Sequence, residues 1–302
     1  CDWKVYQVIF NFDDAVYAFR DGGSLEIGYY LSMIGLKKLG IGFQGLNLIT
    51  SGLFFAGLHA IAKREKYPLL VLCIAFPILI INLPMSGIRQ AAAFGLISIA
   101  LLAFLDRKFF KYILFTILAI SFHASAILFL LLIPMYFVRF NLKNILIAGA
   151  LLAPLAGYLF FSSFGLIAQE RYIQGDLSSF GAYFRVAIIF LIALYFLFVV
   201  RKDWKRLFPK DYEFMLMGSV GIILCTMIIL PISTVIADRL GLYLWFFALI
   251  ILARLILIPA MLREISVIGS IAGLVFAFIF WAQNSPYFYA CYVPYNYNYI
   301  IW

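Results

Sequence analysis

With 302 residues, 66% of them hydrophobic and only 12% charged, and a mean hydropathy of +1.04, the chain has too little polar surface for a water-soluble globule. The composition leaves an all-α polytopic integral membrane protein. Four cysteines are too few for a disulfide framework. Cys73 and Cys225 lie in apolar runs as small core residues, and no spacing fixes a bridge between Cys1 and Cys291.

The chain reads as a single transmembrane domain, 1–302. It begins with Cys rather than Met, so a first span is expected before residue 1. Residues 1–42 form an amphipathic segment at a membrane surface, with apolar and aromatic positions at helical spacing around Asp2, Asp13, Asp14, Arg20, Asp21 and Glu26, and a turn at Gly22-Gly23. Membrane helices occupy 43–282. Residues 43–62 have the length of about 20 that a bilayer core requires, and they end in Lys63, Arg64 and Lys66. Apolar runs at 68–83 and 89–105 follow, the second returning to Arg107, Lys108 and Lys111.

The run 109–138 is too long for one straight span and too short for two. Basic residues flank both ends, which puts the ends on one side of the membrane, so two half-helices meeting near His123 satisfy the pattern. Ser121 is then a candidate cap for the second half. The competing arrangement is one long tilted helix with a kink. Further spans lie at 142–161, 183–200, 214–232, 240–258 and 265–282, with an external loop at 162–182 and an external aromatic tail at 283–302. Counting the two halves, the reading gives about ten membrane helices. The loops around 63, 107, 141, 206 and 263 carry the whole +9 of net charge and leave the opposite face neutral, so the basic side is cytoplasmic.

The external face gathers the polar chemistry. In the run from Leu83 to Ser125, Pro84 and Ser86 mark a helix start, and Arg89 sits in the first turn, where a cation is favoured only with an anion nearby. Ala91, Ala92, Ala93 and Gly95 then let neighbouring helices approach. Three helix entrances open outward, at 86–89, 121–125 and 233–239. Arg89, Arg171 and Arg239 can each fork onto phosphate oxygens, which fits a lipid diphosphate; each alone also fits snorkelling to headgroups. Asp2, Asp13, Asp14, Glu26 and Asp238 are the carboxylates on this face. Any of them, or His123, can act as base toward an acceptor hydroxyl, and the residues do not choose. Tyrosines such as Tyr172 suit sugar stacking as well as an interfacial belt. There is no Walker loop, zinc spacing or GxSxG, and nothing demands a metal or cofactor.

CDWKVY, LEIGYYLSMIGLKKLG, SGIRQAAA, FHASA and ADRLGLY together, in that order, resemble the Wzy/EpsG-type polysaccharide polymerases of bacterial inner membranes. The match points to Asp2, Glu26, Arg89, Gln90, His123, Arg239 and Tyr243. It implies polymerisation of undecaprenyl-diphosphate-linked oligosaccharide repeats on the outer side of the cytoplasmic membrane, by a protein similar to metal-independent C-type glycosyltransferases. Arg89, Arg239 and Arg171 would hold the diphosphate. His123 or Glu26, with Asp2 as a further carboxylate, would activate the acceptor. Gln90, Tyr243, Tyr172 and Asp238 would contact substrate. The expected partners are lipid-linked donor and acceptor, membrane lipid and a chain-length regulator protein, with no nucleic acid. A polymer ligase using the same donor, a lipid-linked oligosaccharide transporter or flippase, and an acyltransferase are the alternatives from other classes.

Overall fold

The computed structural model describes residues 2–11, 26–137, 180–258, 263–285 and 288–289. Helices account for nearly all of them, with no strand among the described residues. In chain order these are α1 (Asp2–Asn11), α2 (Ile27–Lys38), α3 (Phe43–Ala62), α4 (Pro68–Ala75), α5 (Ile88–Leu105), α6 (Phe109–Phe122), α7 (Phe180–Tyr195), α8 (Arg201–Leu207), α9 (Tyr212–Leu224), α10 (Leu230–Ile232), α11 (Thr234–Arg254) and α12 (Arg263–Asn284).

Among the described residues six stretches are long and apolar enough to cross a membrane: Phe43–Ala62, Ile88–Leu105, Gly181–Leu207, Tyr212–Ile232, Thr234–Leu257 and Val267–Asn284. Pro68–Ile80, Phe109–Phe122 and Ala124–Tyr136 are shorter apolar helices. Burial separates the six by role. The Ile88–Leu105 window is 83% buried and the Val267–Asn284 window 11%, so the first is a packing core and the second offers its apolar side chains to lipid.

Several spans are not plain α-helix. Among the described residues the shorter helix Pro68–Ile80 and two spans contain single π turns, at Phe76–Ile80, Phe196–Val200 and Cys225–Ile229. The first holds Pro77, which lacks the N–H that an α-helical ladder needs there. In the run 109–138, α6 stops at Phe122 and a 3₁₀ helix, Ala124–Tyr136, begins on the other side of His123. That helix is 13 residues long, where runs beyond about four are uncommon. The expected spans and loops at 142–161 and 162–182, the Cys1–Cys291 pair, Asp13, Asp14, Arg20, Asp21 and residues 290–302 lie outside the described residues.

The chain groups into two compact units. One comprises Cys1–Ile99, Leu118–Ala124 and Leu249–Trp302; the other comprises Ala100–Ile117 and Ser125–Ala248. In the first, the small residues of α5 do what their size permits. Ala91, Ala92 and Ala93 are fully buried, and a Cβ on Gly57 or Gly95 would fall on the backbone of the facing helix, so α3 and α5 meet main chain to main chain. Phe54 and Phe94 pack beside this contact with ring centroids 5.5 Å apart. α1 joins the unit through the edge of Phe10 on Phe43 at 5.9 Å and Tyr6 on Tyr29 at 6.3 Å.

In the second unit α7 packs on α9, with Val186, Cys225 and Ala237 buried together. The Tyr112 hydroxyl donates to the Phe129 carbonyl, and the rings of Phe104, Tyr112 and Tyr136 lock around one another. This ties the 3₁₀ helix to α6 within that unit.

Candidate active site

The site is built in the first unit by α2, whose buried face is Tyr29, Met33 and Leu36, residues at helical spacing. Gly28 lies against the end of α6. A Cβ there would strike the Ser121 hydroxyl and come within 3.2 Å of the Ser121 carbonyl oxygen. The missing side chain therefore lets α2 press onto α6 and delivers Glu26, the residue just before α2, to the break after Phe122.

At the break Glu26 divides its two oxygens. Oε1 lies 2.8 Å from His123 Nδ1 and accepts the Ala124 backbone N–H at 3.2 Å. Oε2 accepts from an Arg89 terminal nitrogen. The Ala124 amide opens the 3₁₀ helix, and a carboxylate at such an end satisfies a donor that has no partner in its own helix. The expected cap, Ser121, does not take this role: its hydroxyl donates back to the Leu118 carbonyl, so the cap comes from 98 residues away. The start of α5 differs as well. Ala91 N–H bonds the Gly87 carbonyl, which makes Gly87 rather than Ser86 the residue at the cap position.

Glu26 is buried, and burial alone would raise its pKa. The His123 hydrogen bond, the Arg89 charge, the charge that His123 carries when protonated and the Ala124 amide outweigh that and bring it down to about 2. The carboxylate is thus ionised at any ordinary pH and a poor base. Its bond to His123 fixes the proton of the neutral imidazole on Nδ1, which puts the basic lone pair on Nε2. The Arg89 guanidinium lies over two rings, with Cζ 5.3 Å from the Tyr6 centroid and 5.6 Å from that of Tyr29. Its side chain keeps 33% exposure, against 7% for Glu26, so the cation stays partly accessible.

In the second unit, Arg185 forks onto Asp238, Nε to Oδ1 at 2.8 Å and a terminal nitrogen to Oδ2 at 2.6 Å. The Ser233 hydroxyl caps α11 by accepting Ile236 N–H at 3.3 Å. Tyr243 is buried, 3.2 Å from the Ser125 hydroxyl and edge-on to Phe129 at 5.4 Å. The sequence profile of the EpsG family matches residues 1–297.

The chain belongs to the EpsG family. No curated protein and no solved structure matches it. Membership makes this a membrane protein of polysaccharide-polymerase, glycosyltransferase-like type. Of the residues that sequence singled out in this EpsG-family chain, the structure gathers Glu26, Arg89 and His123 in the first unit. Gln90, buried beside Arg89 in sequence, lies in the same unit. Asp238, Arg239 and Tyr243 belong to the second, where Asp238 is paired with Arg185 and Arg239 is half-buried on α11. Asp2 is the first residue of α1, with its side chain outside the described set, and Arg171 and Tyr172 are outside it altogether. Among the described residues no group of three or more His, Cys, Asp or Glu gathers as metal ligands would.

Sequence reasoning missed Tyr6, Tyr29 and Arg185. Arg185 had a usable signal, being the only charge in the apolar run 181–200, where an ionisable residue marks a functional or packed polar site. Tyr6 and Tyr29 stood inside the CDWKVY and LEIGYYLSMIGLKKLG segments that carry the family resemblance, but neither was singled out from them.

Proposed function

We propose that this chain polymerises undecaprenyl-diphosphate-linked oligosaccharide repeats by metal-independent glycosyl transfer on the external face of the bacterial cytoplasmic membrane, in a C-type glycosyltransferase-like bundle of about ten membrane helices. One observation carries the reading: a single buried carboxylate holds a histidine by Nδ1 and an arginine by its guanidinium at a break between helices. That arrangement supplies the two functions glycosyl transfer from a lipid diphosphate needs, a base and a fixed cation.

His123 Nε2 takes the proton of the acceptor hydroxyl as that oxygen bonds to the anomeric carbon. The bond from the anomeric carbon to the diphosphate oxygen breaks, and its electron pair leaves with the diphosphate. Before the step Glu26, Arg89 and neutral His123 sum to zero charge; once His123 holds the proton they sum to +1. Positive charge therefore grows beside the leaving group as its negative charge appears, a gain made in the transition state and not in the ground state. Glu26 serves as the positioning residue for both partners, and the alternative role for it as base is disfavoured by its low pKa.

Arg239 and Arg171 are further candidates for the diphosphate, Gln90, Tyr243, Tyr172 and Asp238 for the sugars, and Asp2 for the acceptor. A chain-length regulator protein is the proposed macromolecular partner. The test is incubation of purified protein with a lipid-diphosphate-linked repeat, without added metal or nucleotide, and product separation on a gel. The reading expects a ladder that disappears in Arg89→Ala and His123→Ala. Movement of intact lipid across vesicles with no ladder would overturn it in favour of a transporter.

A further inference from the structure

Two polar atoms of the site are sealed from solvent and have no hydrogen-bond partner among the described residues: the Tyr29 hydroxyl and Arg89 Nε. They sit on the two members of one cation–π contact, 5.6 Å from Arg89 Cζ to the Tyr29 centroid. Tyr29 is 2% exposed. A phenylalanine would keep every ring contact Tyr29 makes, edge-on to Tyr6 at 6.3 Å, edge-on to Tyr30 at 5.8 Å and beneath the guanidinium. It would also avoid burying an unmet hydroxyl, which is destabilising. The packing thus explains the ring and leaves the oxygen without a structural purpose.

Both unmet atoms are donors, one on a permanent cation. The oxygen best suited to accept from both at once is electron-rich and anionic, as a phosphate oxygen is, because charge-assisted bonds are the stronger ones. Glu26 already occupies a terminal nitrogen of Arg89 and so leaves Nε as a separate point of contact. Tyr6 of α1 lies over the same guanidinium.

We propose that Tyr29 is a substrate-binding residue whose hydroxyl, together with Arg89 Nε, takes one oxygen of the lipid-linked diphosphate. The inference rests on the glycosyl-transfer reading for the identity of the anion, and it adds to that reading a second donor to the leaving group beside Arg89.

The test is equilibrium binding of undecaprenyl diphosphate to the full chain in detergent, with inorganic pyrophosphate as competitor, for wild type and Tyr29→Phe, alongside thermal melting. The expected result is affinity for both probes reduced about tenfold, with Tm unchanged or raised. A purely structural role of the hydroxyl moves the two readouts the other way: wild-type affinity for both probes, whatever the change in Tm, would overturn the proposal. A second measurement keeps the hydroxyl in place. With 3-fluorotyrosine at position 29, undecaprenyl diphosphate is expected to shift the fluorine resonance, and an unmoved resonance at saturation would count against the contact. Binding is read without turnover, so the two readings fail separately. Tyr29-dependent binding in a protein that makes no polymer removes the proposed reaction alone, and a polymerising protein in which Tyr29→Phe binds as wild type removes this inference alone.

Discussion

Among the described residues the first unit contains two glutamate–arginine pairs with buried carboxylates, and they are built differently. Glu65 and Arg254 close on each other through two parallel bonds, Nε to Oε2 at 2.8 Å and a terminal nitrogen to Oε1 at 2.9 Å, and both residues are buried. The carboxylate spends both oxygens on one partner. Glu26 spends one oxygen on Arg89 and the other on His123 and Ala124, while Arg89 gives it one terminal nitrogen and leaves Nε unmet. The first pair satisfies itself and joins segments 189 residues apart. The second keeps binding capacity in reserve at the point where α6 breaks, which is costly for stability and useful for chemistry.

Substitutions at the two pairs should therefore part company. The largest effect is expected for Arg89→Ala: polymerisation falls by about 10³-fold or more, the loss typical of a donor aimed at developing charge, while the protein is still recovered from membranes. Full polymerisation by that variant would remove Arg89 from the reaction. At the other pair, Arg254→Ala strands a buried carboxylate and should cost about 3–5 kcal/mol, read as loss of folded protein in detergent. The double change Glu65→Met with Arg254→Leu should restore folded yield and keep turnover within about threefold of wild type, because an apolar pair can replace a closed ionic one. A double variant that folds but does not polymerise would contradict the division of roles.

Glu26→Gln preserves shape and removes charge. We expect turnover lowered by about 10²-fold with KM little changed, the pattern of a lost positioning group, measured on the same ladder assay. Acid should reveal the same charge. The folded pKa of Glu26, about 2, is below its ordinary value of 4.5, so its contribution to stability is complete above pH 4.5 and is lost as pH falls toward 2. Melting temperature of wild type should decline through that window, and the decline should be shallower in Glu26→Gln. The smallest effect belongs to Gly28→Ala, which pushes α2 off Ser121 at about 1–3 kcal/mol. Ser121→Gly in the same chain should recover part of the loss, and failure of that rescue would mean that the Gly28 contact does not set the position of Glu26.

The local part of this architecture was legible in the sequence. Apolar length gave Phe43–Ala62 as a span, the small-residue run gave the close approach at α5, and flanking charge with His123 at mid-run gave the break. Each of these is a property of neighbouring residues. What could not be read were pairings between distant segments. The cap at Ala124 looked like a task for Ser121 because serine caps locally; nothing in the spacing says that a carboxylate 98 residues away will reach the amide first. Arg185 was read as part of a span because its partner, Asp238, is 53 residues on. Glu26 and His123 were both visible as bases, and the proposed division into a holder and a proton acceptor draws on the geometry of their contact.

That division can be examined directly, since the chain has two histidines, His59 and His123, and His59→Gln assigns the spectrum. Nitrogen-15 NMR of the histidine-labelled protein in detergent, at a pH where the imidazole is neutral, reports which ring nitrogen carries the proton. The account predicts His123 protonated on Nδ1, with the tautomer balance shifting in Glu26→Gln. His123 protonated on Nε2 in the wild-type protein would contradict it, because the nitrogen assigned to take the acceptor proton would already be filled.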